Sequence, residues 1–269
     1  MVSPHLKTKT YLIGICFFIL MNNAVAQSKT YELSWETDGY LLGAAMTFSS
    51  IAIAKEQRIL STDDLRKLNR LDINSFDRQA TYNNSTTAAS LSDVCRDAIV
   101  LVPLSLMAFK KARSEAGIIG LMFLETFAVT TSSTLAVKTT VRRVRPLAYN
   151  EDFSLSEKLK TSTSRSFFSG HTAHVSSLAF FSAKIINDLY PNSKYRGLAW
   201  AGAITIPAFA GYLRYRAGKH FPSDIFVGYG VGAALGVLVP QFHKIKNDKV
   251  SLQAIPLSDG AMVNLSLRF

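Results

Sequence analysis

Cysteine is nearly absent from this chain: 269 residues contain two, Cys16 and Cys95. Cys16 lies in an N-terminal segment that reads as a removable leader. The mature chain then keeps Cys95 alone, so no intrachain disulfide can form even in an oxidising compartment. Cys95 itself reads as a buried small hydrophobe. Acidic residues are also in short supply, 19 against 30 basic ones, which leaves a formal charge of +11. A basic excess suits an anionic substrate, an anionic membrane or nucleic acid. Zinc-finger spacing, an aromatic RNA-binding strand and a basic zipper helix are all missing, which removes the nucleic-acid readings. Internal repeats and low-complexity segments are missing too.

What is present is apolar: 48% of the residues are hydrophobic. The chain opens as a secretory signal does. Lys7 and Lys9 supply the basic start, residues 11–21 an apolar run too short for a comfortable membrane span, and Ala24 to Ala26 a small-residue cleavage site. Cleavage is expected after Ala26. Six apolar stretches follow, at 39–54, 98–109, 116–137, 172–186, 197–212 and 225–241, with lengths that suit helices. The second is short and contains Pro103. Stretches such as "AGAITIPAFAG" and "GYGVGAALG" are rich in small residues, which let helices approach closely.

The connections are polar. Ser61 followed by Asp64 has the capping-box pattern, and Leu65, Leu68 and Leu71 give one apolar stripe, so a short amphipathic helix is expected there. Residues 147–168 form a polar connection, either a solvated loop or a cover over a site. Two alternating segments joined by "SDG" close the chain as a β-hairpin. The fold class expected is all-α, a six-helix core bundle with a small C-terminal β-hairpin. Its divisions are a signal peptide at 1–26, a helical domain at 27–243 and a tail at 244–269.

Three clusters of chemically capable residues sit at the ends of apolar stretches. Lys138 and Arg145 are two helical turns apart and precede Pro146. Alone they read equally as ordinary cations at a helix C-terminus. Ser169, Gly170 and His171 open the fourth stretch. A helix start offers unpaired N–H groups to an anion, although a cap, a turn and a satisfied histidine would look the same. Arg214, His220 and Asp224 form the third cluster. A carboxylate four residues after an imidazole can hold one ring nitrogen protonated and leave the other as nucleophile or base. Asp224 is also an ordinary acidic residue at a helix start. Alternation of six helices brings all three clusters to one end of the bundle. Three cations, a hydroxyl, helix-start amides and two histidines then make a phosphate site with a nucleophile and a proton donor.

The pattern K-x6-R-P, then S-G-H, then R-x5-H-x3-D resembles the type 2 phosphatidic acid phosphatase superfamily. That group includes lipid phosphate phosphatases, bacterial class A acid phosphatases and vanadium haloperoxidases. The resemblance runs over roughly residues 95–240. Two positions depart from it: Phe168 stands where proline usually precedes Ser-Gly-His, and Leu213 where serine usually precedes the arginine.

The resemblance implies that His220 attacks phosphorus, Asp224 orients it and His171 serves as acid and then base. Lys138, Arg145, Arg214, Ser169 and Gly170 are implied to hold the phosphoryl oxygens. It implies neither metal nor cofactor. "HTAH" hints at zinc, but no third ligand has suitable spacing, and His174 reads as a core residue. His5 and His243 have no assigned part. The implied substrate is an anionic phosphate, expected to be a lipid because the helices are apolar. The alternatives are a soluble periplasmic acid phosphatase and a vanadate-dependent haloperoxidase. The expected location is the cell envelope, with a periplasmic site. A periplasmic site behind a cleaved signal needs an even number of crossings before it, and the stretch at 98–109 is the weakest of the early ones.

Overall fold

The computed structural model describes residues 29–55, 58–245, 250–257 and 260–267. The expected signal peptide lies outside the described residues. In chain order the first helices are α1 (Trp35–Ala54), α2 (Thr62–Arg66), α3 (Ser75–Arg78), α4 (Thr86–Ala98), α5 (Leu101–Ser105) and α6 (Lys110–Ser114). Then come α7 (Ala116–Val141), α8 (Leu155–Lys158), α9 (Gly170–Leu189), α10 (Arg196–Arg216) and α11 (Pro222–His243). The fold is all-α. Beyond the helices, β1 (Val250–Leu257) and β2 (Gly260–Leu267) pair antiparallel.

The chain passes along the bundle six times. It enters at the end where α7 starts and α11 finishes. There Thr30 N–H donates to the carboxylate of Glu115, and Glu32 N–H donates to the His243 carbonyl. α1 runs from this end to the other, where Ser164 donates to the carbonyl of Arg58. The return pass is not the single helix expected over 98–109. It is α4, α5, a 3-10 turn at Leu106–Ala108 and α6 in succession. Pro103 sits in the first turn of α5, where its missing N–H leaves no hydrogen bond broken. α4, the regular part of this pass, lies in a sequence with too few apolar residues to announce it.

α9 is the axis of the bundle. It packs against α11, α10, α7 and α4, and most of its residues are buried. Its contact with α11 depends on a row of glycines four residues apart. A Cβ at Gly232 would come within 2.3 Å of the Ala173 carbonyl oxygen, and one at Gly236 within 2.3 Å of that of Ser177. Backbone meets backbone along this seam, as small residues permit.

The capping box of Ser61 and Asp64 is present at α2. The helix stops at Arg66, however, and Leu71 falls on a separate 3-10 turn with its side chain exposed. The three leucines therefore form no single stripe. The connection at 147–168 is a packed segment with buried Leu147, Phe153, Thr163 and Phe168, tied to the bundle by Leu147 N–H on the Gly218 carbonyl. Gly218 has φ +64° and lies against the Asn83 carbonyl, a position only glycine suits.

Candidate functional site

The end of α7, the start of α9, the end of α10 and the start of α11 meet at one end of the bundle. Ser169 N–H donates to the Asp224 carbonyl at 3.0 Å, joining the starts of α9 and α11 directly. α7 stops at Arg142, whose left-handed backbone (φ 52°) turns the chain across this end. Lys138, one turn earlier, extends its ammonium to the carbonyls of Arg165 (2.8 Å) and Ser166 (3.3 Å), just before Ser169. The Arg145 backbone is held by the Thr163 carbonyl at 2.8 Å.

His220 lies between α10 and α11 and is 1% exposed. Burial and then the cations of Lys138, Arg145 and Arg214 hold its pKa well below the ordinary histidine value. The three sequence-predicted cations thus act electrostatically on this one imidazole. His220 Nδ1 stands 3.6 Å from Asp224 Oδ2, too far for a hydrogen bond. Asp224 instead accepts from Phe221 N–H (2.9 Å), the Ser166 hydroxyl and Arg143 (2.6 Å). The carboxylate therefore lies beside the imidazole as a fixed charge, with its lone pairs committed to other donors.

Several buried donors here have no protein acceptor among the described residues: Nε of Arg145, Nε of Arg214, an Nη of Arg165 and Nδ1 of His220. Unmade hydrogen bonds of buried charged donors are costly, and an oxyanion would satisfy several at once. Arg214 Nη1 donates to Ser92 at 3.0 Å and lies 3.6 Å from Asp93. Lys219, next to His220, has its pKa lowered by burial.

Ser169 and Gly170 start α9 beside these groups. The Ser169 hydroxyl caps its own helix through Thr172 N–H and also meets the Thr172 hydroxyl at 2.8 Å, so the side chain is committed to the fold. Gly170 is closely surrounded; a Cβ there would lie 3.0 Å from Thr134 and 3.6 Å from the Lys138 side chain. His171 Nε2 is 2.6 Å from the carboxylate of Asp93 and 3.0 Å from Arg96. A carboxylate only accepts, so Nε2 donates to it. His174 is separate: its Nδ1 donates to the Gly170 carbonyl, its Nε2 meets Thr131, and its ring packs on Phe127. The "HTAH" pair thus shares no ligand position.

Two other features were not legible from spacing. Arg143 bridges two buried carboxylates, Asp77 at 2.7 Å and Asp224 at 2.6 Å, and covers the Phe221 ring. Asp77 also accepts from Ser223, and these bonds hold its pKa down despite its burial. Ser92, Asp93 and Arg96 arrive from α4. Phe168, which stands where proline usually precedes Ser-Gly-His, is 3% exposed and packs into the protein beside Ser169.

Three comparisons with known proteins follow from this geometry. Residues 118–248 match the model of the PAP2 superfamily. The comparison with curated proteins finds no match. Among solved structures, a transmembrane PAP2 type phosphatidylglycerolphosphate phosphatase from Bacillus subtilis aligns with 22% identity and a TM-score of 0.48, covering 77% of this chain and 98% of that one.

Proposed function

The chain belongs to the PAP2 superfamily and is a phosphoric ester hydrolase, and from that premise we propose that it cleaves the phosphate or diphosphate ester of a lipid through a phosphohistidine. One observation carries the reading: a buried imidazole, His220, ringed by Lys138, Arg145 and Arg214, with unsatisfied guanidinium donors beside it. Cations and amides of this kind stabilise charge that develops on phosphoryl oxygens.

In the first step the His220 nitrogen remote from Asp224 attacks phosphorus. The bond to the leaving oxygen breaks, and that oxygen takes a proton from His171, which must enter the step as imidazolium. Asp93 and the bound phosphate's charge hold it so, against the burial and the Arg214 cation that depress its pKa to about 3 in the free protein. In the second step a water gives a proton to His171 and attacks the phosphohistidine, releasing phosphate and restoring His220. Asp224 stabilises the charge on His220. Lys138, Arg145, Arg214 and the Gly170 amide hold the phosphoryl oxygens, and Ser169 fixes the amide that does so. No step requires a metal or cofactor.

The lipid reading is supported by an apolar groove of about 460 Å³ between α10 and α11. It is lined by Ile204, Ala208, Tyr212, Tyr215, Ile225 and Phe226, with Pro222, the first residue of α11, also in its wall. Its apolar walls suit an acyl or prenyl chain. Large apolar side chains are also exposed along the helices, among them Trp35, Met46 and Ile53 on α1 and Leu198 and Ile206 on α10. α7 and α11 are long and apolar enough to cross a bilayer. We place the protein in the cell-envelope membrane, with the site at the periplasmic face.

A panel of lipid and soluble phosphates, assayed with purified protein, tests the substrate class. Lipid phosphates should give the higher kcat/KM. A preference for water-soluble monoesters would reject the lipid reading and favour the acid phosphatase alternative. Ala208→Trp should raise KM for a long-chain lipid phosphate and leave that for a small aryl phosphate unchanged. Equal effects on both would contradict the groove's role.

A further inference from the structure

At the end of the bundle opposite the phosphate site, three acid–base side chains from three helices face one another. Asp38 comes from the first turn of α1, Glu125 from α7 and His243 from the last turn of α11. Asp224 and His243 are nineteen residues apart on α11, about 28 Å at the α-helical rise, so the cluster is remote from the phosphate chemistry. Glu125 is 2% exposed, and neither of its oxygens has a hydrogen-bond partner among the described residues. His243 is 1% exposed.

The protonation of His243 is constrained. Its Nδ1 lies 2.9 Å from the Val239 carbonyl, which can only accept, so Nδ1 carries a proton. Its Nε2 points at Asp38 Oδ1, 2.7 Å away, and at Glu125 Oε2, 3.3 Å away. All three atoms lie within 4.8 Å of one another. A proton on Nε2 would reach Asp38 at 2.7 Å but leave Glu125 Oε2, at 3.3 Å, without a full hydrogen bond, whereas one cation among the three atoms serves both carboxylates. No lysine or arginine ion pair reaches Asp38 or Glu125 among the described residues. Two carboxylates balance a divalent ion, and a backbone carbonyl on the far ring nitrogen is the usual support for a metal-bound histidine. His243 Nε2 and Glu125 Oε2, 3.3 Å apart, already have the spacing of two ligands on a tetrahedral Zn²⁺. Asp38 Oδ1, 2.7 Å from Nε2, has to draw back by roughly half an ångström to take its place in such a shell.

We propose that Asp38, Glu125 and His243 bind one divalent first-row transition-metal ion, Zn²⁺ or a near relative, which ties α1, α7 and α11 together. A second carboxylate oxygen or a water completes the shell. The ion has a structural role and takes no part in phosphate-ester cleavage.

The test uses the full chain, purified in detergent, stripped with EDTA and returned to Zn²⁺ or Co²⁺. Bound metal is counted after gel filtration, and thermal unfolding is followed in parallel. The expected result is about one ion per chain, a higher Tm with metal, and visible absorption bands from bound Co²⁺. Asp38→Asn and Glu125→Gln should each weaken binding more than about tenfold and abolish the metal-dependent Tm shift. Initial hydrolysis rates in EDTA should be unchanged in both variants. Failure of the wild-type chain to bind a stoichiometric ion would overturn the proposal. So would full binding by Glu125→Gln, or a Tm that follows pH and ignores metal, since a proton would then occupy the position. If one variant does not fold, the wild-type stoichiometry and Co²⁺ spectrum still decide.

Discussion

At the scale of the residue, the decisive group is His220, whose surroundings disfavour imidazolium. Its pKa is depressed by burial and by Lys138, Arg145 and Arg214, so the neutral ring persists below the ordinary titration range of about pH 6.5. The nucleophilic form is therefore available on the acid side of that range. A histidine ¹⁵N NMR titration should place the His220 midpoint below the ordinary histidine value; a midpoint at about 6.5 or above would contradict the cationic site. Arg143 makes a second residue-scale prediction. Removing it in Arg143→Met leaves Asp77 and Asp224 buried without their shared cation. Breaking such an arrangement typically costs about 3–5 kcal/mol. Denaturant unfolding should register a loss of that order, and an unchanged midpoint would mean that the bridge is incidental. The sequence made Lys138, Arg145, Arg214, His171 and His220 visible because charges are rare in apolar stretches and their spacing is tight. It hid Arg143, Asp77, Asp93 and Arg165, since each acquires its part only from a residue far away in the chain. The hydrogen bond expected between His220 and Asp224 was also misjudged. Spacing brought the two side chains together, but three other donors occupy the carboxylate.

At the scale of the element, the bundle depends on helices that meet at their backbones. The seam between α9 and α11 fixes Ser169 against Asp224, and so fixes the site. In Gly232→Ala the new methyl meets the Ala173 carbonyl oxygen and the Ser176 side chain, and a backbone oxygen cannot rotate away. Overpacking of this kind costs about 1–3 kcal/mol. Thermal unfolding should report the loss, together with a fall in kcat as the helix starts separate; a variant as stable and active as wild type would refute the seam. The length of the apolar runs located α1, α7, α9, α10 and α11. The run at 98–109 misled because helical order and hydrophobicity are offset there. The regular helix is the polar α4, which supplies Ser92, Asp93 and Arg96, while the apolar run after it is broken into short turns.

At the scale of the whole molecule, the chain enters the bundle at the end opposite the phosphate site. Three passes precede the site, an odd number. An exported Gln27 and a periplasmic site are then compatible only if the bundle does not cross the membrane. With a crossing bundle and a periplasmic site, a membrane-impermeant maleimide added to spheroplasts should label Asp152→Cys and leave Lys29→Cys protected, in a background with Cys95→Ser. The reverse pattern would put the site in the cytoplasm, and labelling of both would mean that the bundle does not cross.

The central claim, covalent transfer of phosphate to His220, can be tested directly. Wild-type protein is mixed with ³²P-labelled lipid phosphate, quenched in alkali within milliseconds and mapped by proteolysis. The account predicts an acid-labile, alkali-stable label on the peptide that contains His220, and neither label nor turnover in His220→Asn. Turnover by His220→Asn at the wild-type rate, or a label on any other residue, would contradict it.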